Sequence, residues 1–287
     1  MGLVYLNGTF GPLEEARVSV MDRGFLFGDG IYEVVPAYGR RLFRLDEHLS
    51  RLDRSLAQVR IANPHTAAEW QALIEKVVAA AEFEDQSVLL QVTRGVSPVR
   101  NHAFPNPAPV PSVFIIVEPL NPPDAALKAE GVSAVSAADN RWLRCDIKAI
   151  SLLANCLLRQ KAIDEGCAET VMFRDGILTE GAASNIFVVK NGTLLAPQKN
   201  HLMLTGITYD VVLEVAAKLD LPVVVRDLND SEVRSADELW LSSSTKEVLP
   251  IVQLDGRPIG NGRPGPIYAR MDKGYQQFKT EVMRCGR

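Results

Sequence analysis

The chain has 287 residues, 47% hydrophobic and 23% charged, with a formal net charge of -4 at neutral pH. At roughly 150 residues per domain this length predicts two domains, and the composition excludes a disordered or fibrous chain. The small negative charge, with no block of like charges, excludes the basic footprint of a nucleic-acid binder or a polybasic membrane binder and favours a small-molecule partner.

The segment Met1 to Gly8 lacks a basic leader followed by a long apolar run, and no stretch of about 18 uninterrupted apolar residues occurs, so neither export nor membrane insertion is expected. Cys145, Cys156, Cys167 and Cys285 show neither C-x-x-C nor zinc-ligand spacing, which predicts free thiols in a reducing cytoplasm and no metal site.

In chain order, Asn7-Gly8 signals a hairpin. A helix is predicted from Asp46 to Val59, with Leu45, Leu49, Leu52 and Leu56 on one stripe and Arg51 on the same helix. Thr66 followed by Glu69 is a capping-box pattern and opens a second helix that buries Trp70, Leu73, Ile74, Val77 and Val78. Strand-like runs follow at Val88 to Thr93 and Val113 to Val117. The proline-rich run Pro119 to Asp124 reads as a linker, dividing an N-terminal α/β domain (1–120) from a C-terminal one (121–287).

Beyond the linker, a strand at Val132 to Val135 precedes a helix from Ile150 to Glu165 that Gly166 stops. Asp175-Gly176 and Asn191-Gly192 are hairpin signals flanked by apolar runs, and Asp255-Gly256 marks a further turn. A helix from Thr208 to Leu219 and strands at Val223 to Val225 and Leu239 to Leu241 complete the half. Strands outnumber what a regular strand–helix alternation supplies, so the fold class expected is α+β with mixed sheets and flanking helices.

Four segments can carry chemistry, each with a plainer alternative. Lys148 lies between a predicted strand and a helix, beside Arg141 and Arg144; desolvated there, its amine would be a neutral nucleophile able to form a Schiff base with an aldehyde, although an exposed lysine is commoner. Glu180 precedes the small residues Gly181 to Asn185, which permit close approach of a ligand, and a carboxylate there can pair with a ring nitrogen; by itself it reads as a charged hairpin residue. Leu204-Thr205-Gly206-Ile207-Thr208 leads into a helix whose free N–H groups suit a phosphate, with Ser242 to Thr245 a second phosphate-facing run; an ordinary helix start and a polar loop are the plainer readings. Arg100 and His102, at alternate positions of a loop, can face one carboxylate, or simply form a solvated basic loop.

Together with Asp22 to Glu33, Glu47-His48, Arg51-Leu52 and Gln91 to Gly95, these segments resemble, in order, the fold type IV pyridoxal 5'-phosphate (PLP) enzymes of the class IV aminotransferase family. That group contains D-amino-acid aminotransferases, branched-chain aminotransferases and aminodeoxychorismate lyases, and the resemblance is greatest to the first. It implies that Lys148 carries the cofactor and moves the proton, and that Glu180 holds the pyridine nitrogen. It also implies that Arg51, Ile207, Thr208 and Ser244 or Thr245 hold the phosphate, that Leu204 packs on the ring and that Tyr32 lies near cofactor and substrate. Most of the cofactor site then falls in the C-terminal domain. The implied assembly is a homodimer, with Arg100 and His102 reaching the neighbouring subunit's site.

The pair Arg100-x-His102 with Phe104-Pro105 looks like the carboxylate trap of the D-amino-acid enzymes. The activity expected is ping-pong transamination between a D-amino acid such as D-alanine or D-glutamate and a 2-oxo acid such as pyruvate or 2-oxoglutarate. A branched-chain L-aminotransferase, an aminodeoxychorismate lyase and an idle binding protein on the same scaffold are the alternatives. Two departures from the family pattern are Tyr209, where many relatives carry arginine, and Pro36, where some carry lysine.

Overall fold

Asn7 and Gly8 both take left-handed backbone angles, with φ of 49° and 91°, and the tight turn they make folds β1 (Leu3–Leu6) back on β2 (Thr9–Pro12). The computed structural model describes residues 3–285. Contacts divide them into two compact units, the first running to Asn121 and taking in Ile147–Leu152, the second holding Pro122–Asp146 and Leu153–Cys285. A single boundary at 120/121 leaves out that six-residue return, which contains Lys148. No helix among the described residues is long and apolar enough to cross a membrane.

The first unit continues with α1 (Arg23–Phe27), β3 (Gly30–Tyr38), β4 (Arg41–Leu42), α2 (Leu45–Gln58), α3 (Ala67–Ala80), β5 (Gln86–Thr93) and β6 (Ser112–Pro119). Its strands pair antiparallel in the order β2-β1-β6-β5-β3-β4. Along β5 the residues Val88, Leu90 and Val92 are buried in alternation, so one face of the sheet is apolar. The leucine stripe of α2 and Trp70, Ile74, Val77 and Val78 of α3 close over it. Thr66 and Glu69 form the capping box in both directions, a start worth about 1 kcal/mol. Ile147, 6% exposed, belongs to this same core.

The second unit contains α4 (Ala125–Glu130), β7 (Val132–Ala138), α5 (Leu153–Asp164), β8 (Glu169–Arg174), β9 (Ile177–Gly181), β10 (Asn185–Lys190), β11 (Thr193–Ala196), α6 (Ile207–Lys218), β12 (Val223–Val225), α7 (Asp230–Arg234), β13 (Glu238–Ser243), β14 (Glu247–Leu254), β15 (Arg257–Pro258) and α8 (Pro266–Phe278). The main path of its sheet is β12-β11-β10-β13-β14-β7-β8-β9, with parallel pairs at β11/β12, β14/β7 and β7/β8. Mixed pairing here and antiparallel pairing in the first unit make the chain α+β. The dipeptides Asp175-Gly176, Asn191-Gly192 and Asp255-Gly256 are all left-handed, as type I' turns require.

Helix α5 begins at Leu153, three residues later than its sequence suggests. The reason is that Ala149 bridges Ile31 and the Ile150 N–H donates to the Gly30 carbonyl, so this stretch pairs with β3 instead of coiling. Glu180 is likewise inside a strand, since β9 continues to Gly181.

Candidate active site

Lys148 lies beside β3 in the first unit. The Tyr32 N–H donates to the Lys148 carbonyl at 2.9 Å, and the lysine Nζ stands 4.0 Å from the centroid of the Tyr32 ring. The arginines that flank Lys148 in sequence serve carboxylates: Arg144 contacts Asp146, and Arg141 contacts Asp139 and Glu180.

Arg51 is part of a buried cluster. His48 and Arg51, three residues apart on α2, share one helix face and meet Glu33 of β3. The Arg51 Nε and Nη2 each donate to Glu33 at 2.7 Å, and His48 Nδ1 lies 2.8 Å from Glu33 Oε2. Burial works to raise the Glu33 pKa, but the Arg51 fork and the His48 hydrogen bond outweigh it and hold the group at about 2. Burial pushes the His48 ring down against the pull of Glu33, so the ring is neutral. Because a carboxylate only accepts, His48 carries its hydrogen on Nδ1; its Nε2 is buried with no hydrogen-bond partner among the described residues.

Arg100 and His102 are exposed in an irregular loop, and the structure gathers them on Phe27 at the end of α1. The Arg100 Cζ lies 5.1 Å from the Phe27 ring centroid and the His102 ring 5.2 Å from it.

Glu180, Leu204, Ile207, Thr208, Ser244 and Thr245 belong to the second unit. Glu180 is 5% exposed; its Oε1 accepts from Arg141 Nη1 at 2.6 Å and from the Leu204 N–H at 3.1 Å. Asp139 anchors Arg141 in turn, at 2.9 Å through both Nε and Nη2. Burial is the largest influence on Glu180 and pushes its pKa up to about 7 despite Arg141. A buried carboxyl poised there gains a strong partner in a protonated ring nitrogen.

Asn185 joins the two phosphate-facing runs. Its Nδ2 donates to the Leu204 carbonyl at 2.9 Å, its Oδ1 accepts the Gly206 N–H at 3.0 Å, and across the β10/β13 ladder it stands opposite Ser242. Ser244 and Thr245 lie in the turn that follows β13. Helix α6 opens at Ile207 and Thr208 behind Gly206, with no side chain capping its first N–H groups. A Cβ on Gly206 would meet Asn185 Oδ1 at 2.6 Å, and Ser242 Oγ is buried without a hydrogen-bond partner among the described residues. A glycine cradle at an uncapped helix start, an orphaned hydroxyl and a carboxyl suited to a ring nitrogen fit a phosphorylated pyridine.

Sequence reading gave no separate role to Glu33, His48, Phe27 or Asn185. The i,i+3 spacing of His48 and Arg51 was a usable signal, whereas Asn185 acts through neighbours remote in sequence. The two departures are core residues: Tyr209 is fully buried, stacks 5.0 Å from Phe187 and donates its hydroxyl to the Pro197 carbonyl, and Pro36 is buried in β3.

Residues 30–254 match the family model described as amino-transferase class IV. A D-alanine aminotransferase of Listeria monocytogenes serotype 1/2a (strain 10403S) is 38% identical, covering 99% of this chain and 97% of the relative. One from Staphylococcus haemolyticus is 34% identical, over 97% of this chain and 98% of the relative. Among solved structures, the T.th. branched-chain amino acid aminotransferase with pyridoxamine 5'-phosphate superposes with a TM-score of 0.90 at 25% identity, over 99% of this chain and 97% of that one. The chain belongs to the class IV aminotransferase family.

Proposed function

We propose that this PLP-dependent aminotransferase moves the amino group of a D-amino acid, of the D-alanine or D-glutamate type, to a 2-oxo acid such as pyruvate or 2-oxoglutarate in a ping-pong cycle. The observation that carries the reading is the pairing of Arg100 and His102 over Phe27, which presents a planar fork and a ring N–H to one carboxylate. The likeness to D-alanine aminotransferases over nearly the whole chain supports the same choice.

The cofactor, when bound, supplies the carbonyl that takes up the amino group and the electron sink that makes the adjacent C–H acidic. Lys148 Nζ would hold the cofactor and would take up and return the proton at the substrate carbon, with the Tyr32 ring 4.0 Å away limiting where the amine stands. Glu180 accepts the ring N–H. Ile207 and Thr208 offer the first N–H groups of α6 to the phosphate, with Arg51, Ser244 and Thr245 adding donors, and Leu204 packs on the ring. Tyr32, Arg100 and His102 bind substrate.

We also assign the protein to a reducing cytoplasm as a homodimer. Val18, Val20, Phe25, Val99 and Val110 of the first unit are exposed apolar side chains that a second copy would cover. A mass in solution near twice 31.5 kDa is the expected result.

The deciding experiment offers purified, PLP-loaded protein D-alanine or L-leucine together with 2-oxoglutarate and follows both products. Turnover of D-alanine alone is expected. Turnover of L-leucine alone would make the protein a branched-chain aminotransferase, like the T.th. enzyme it superposes on, and pyruvate released from aminodeoxychorismate without an amino acceptor would make it a lyase.

A further inference from the structure

The loop that carries Arg100 and His102 has neither helix nor strand from Ser97 to Pro111. Something else must hold its shape, because a carboxylate is bound by two side chains only if their backbone is already in place. One guanidinium meets it. Arg23, 3% exposed, donates through Nη1 to the carbonyls of Asn101 at 2.6 Å and Ala103 at 3.3 Å, and through Nη2 to the carbonyl of His102 at 3.2 Å. Three consecutive carbonyls around His102 therefore converge on a single side chain.

Arg23 is itself held. Its Nε donates to Asp29 Oδ2 at 2.7 Å. The same carboxylate receives Arg94, through Nε at 2.7 Å and Nη2 at 2.9 Å, and Arg94 sits over Phe104 with its Cζ 3.6 Å from the ring centroid. Arg94 is tied in turn to the carbonyls of Val59 and Arg60 after α2, at 2.7 and 2.9 Å. Arg23 and Phe27 stand four residues apart on the single turn of α1, so one short helix supplies both the clamp on the loop backbone and the ring beneath Arg100 and His102.

We propose that Arg23, oriented by Asp29, is a positioning residue for recognition of the substrate carboxylate: it fixes the backbone from Asn101 to Ala103 and so sets the spacing of Arg100 and His102. The inference rests on the reading of Arg100 and His102 as the carboxylate trap. Arg23 touches neither substrate nor cofactor in this role; loosening the loop spreads the trap over many conformations and weakens binding of the amino acid before it slows the chemistry.

The test is a double-mutant cycle on the PLP-loaded enzyme, with Arg23→Gln, Arg100→Ala and the pair, reading KM for D-alanine, kcat and cofactor content by absorbance. Arg23→Gln is expected to raise KM about tenfold or more with kcat within about threefold and cofactor content unchanged, since glutamine loses the charge and cannot reach three carbonyls. In the Arg100→Ala background the same change should move KM less than about twofold, because the trap it serves is already broken. An unchanged KM in Arg23→Gln beside a raised KM in Arg100→Ala would overturn the inference while leaving the trap standing. So would equal factors in both backgrounds, which belong to a general structural effect. An unchanged KM in Arg100→Ala itself would remove the trap, and the inference with it. If Arg23→Gln is insoluble, Arg23→Lys keeps the charge but not the fork and should raise KM by an intermediate factor; a wild-type KM there would overturn the proposal.

Discussion

Tyr32 holds Lys148 at both ends. Its backbone N–H donates to the lysine carbonyl at 2.9 Å, while its ring lies 4.0 Å from the lysine Nζ. The strand therefore fixes where the lysine leaves the main chain, and the ring limits where the amine swings. Tyr32→Ala keeps the backbone bond and removes the ring, so kcat is expected to fall about tenfold to a hundredfold from misaimed proton transfer, with far-ultraviolet circular dichroism unchanged. Tyr32→Phe should lose less. Lys148→Ala should abolish both turnover and borohydride fixation of the cofactor, and turnover at the normal rate in that variant would sink the assignment.

Glu33 makes the first unit acid-sensitive. Its pKa falls from 4.5 to about 2 on folding, so the stability it contributes is present above pH 4.5 and is lost as pH drops through about 2. A shift of that size corresponds to about 3 kcal/mol at neutral pH. Glu33→Gln should lose stability of that order at pH 7 and show a flatter acid limb, measured by urea unfolding at several pH values. An unaltered acid limb would show that other carboxylates dominate it.

Glu180 acts with the opposite sign. Its folded pKa is raised from 4.5 to about 7, so its contribution to the cofactor-stripped protein is full below pH 4.5 and is lost as pH rises through about 7. Glu180→Gln should remove that dependence from the stripped protein's unfolding curve. In the loaded enzyme the same change should lower kcat by about a hundredfold or more, because an amide cannot keep the ring nitrogen protonated.

Gly206 tests the phosphate cradle. With Asn185 Oδ1 only 2.6 Å from where a Cβ would stand, Gly206→Ala must push the amide aside and break its bond to the 206 N–H. The dissociation constant for PLP, read by absorbance titration, is expected to rise about tenfold. An unchanged constant would mean that Asn185 moves without cost and has no part in shaping the cradle.

What was legible in the sequence was local. The four Asn-Gly or Asp-Gly turns, the leucine stripe of α2 and the Thr66/Glu69 box each depend on residues within a turn of one another, and all are found. Strand β3 was hidden because Pro36, which lacks an N–H, interrupts its apolar run. Helix α8 carried a proline at its start and Tyr268, Met271, Tyr275 and Phe278 at helical spacing, a pattern that was there to be read. At the site, residue types and order pointed to Lys148 and Glu180. The supports of these and the other candidates, Glu33, Asn185, Arg23 and Asp29, look like surface polar residues until long-range pairing buries the first three and half-buries Asp29.

The return of Ile147–Leu152 to the first unit also sets an order of events during synthesis. When Asn121 has left the ribosome, the Gly30–Tyr32 end of β3 has β5 on one side, but the stretch that bonds to its Gly30 carbonyl and Tyr32 N–H has not been made, and Ile147 is missing from the core. The first unit is finished only after Pro122 to Leu152 have emerged, a stretch whose larger part, Pro122–Asp146, belongs to the second. A nascent chain arrested before Lys148, or a fragment cut at the linker, would leave the N-terminal half folded around a gap beside the Gly30–Tyr32 end of β3.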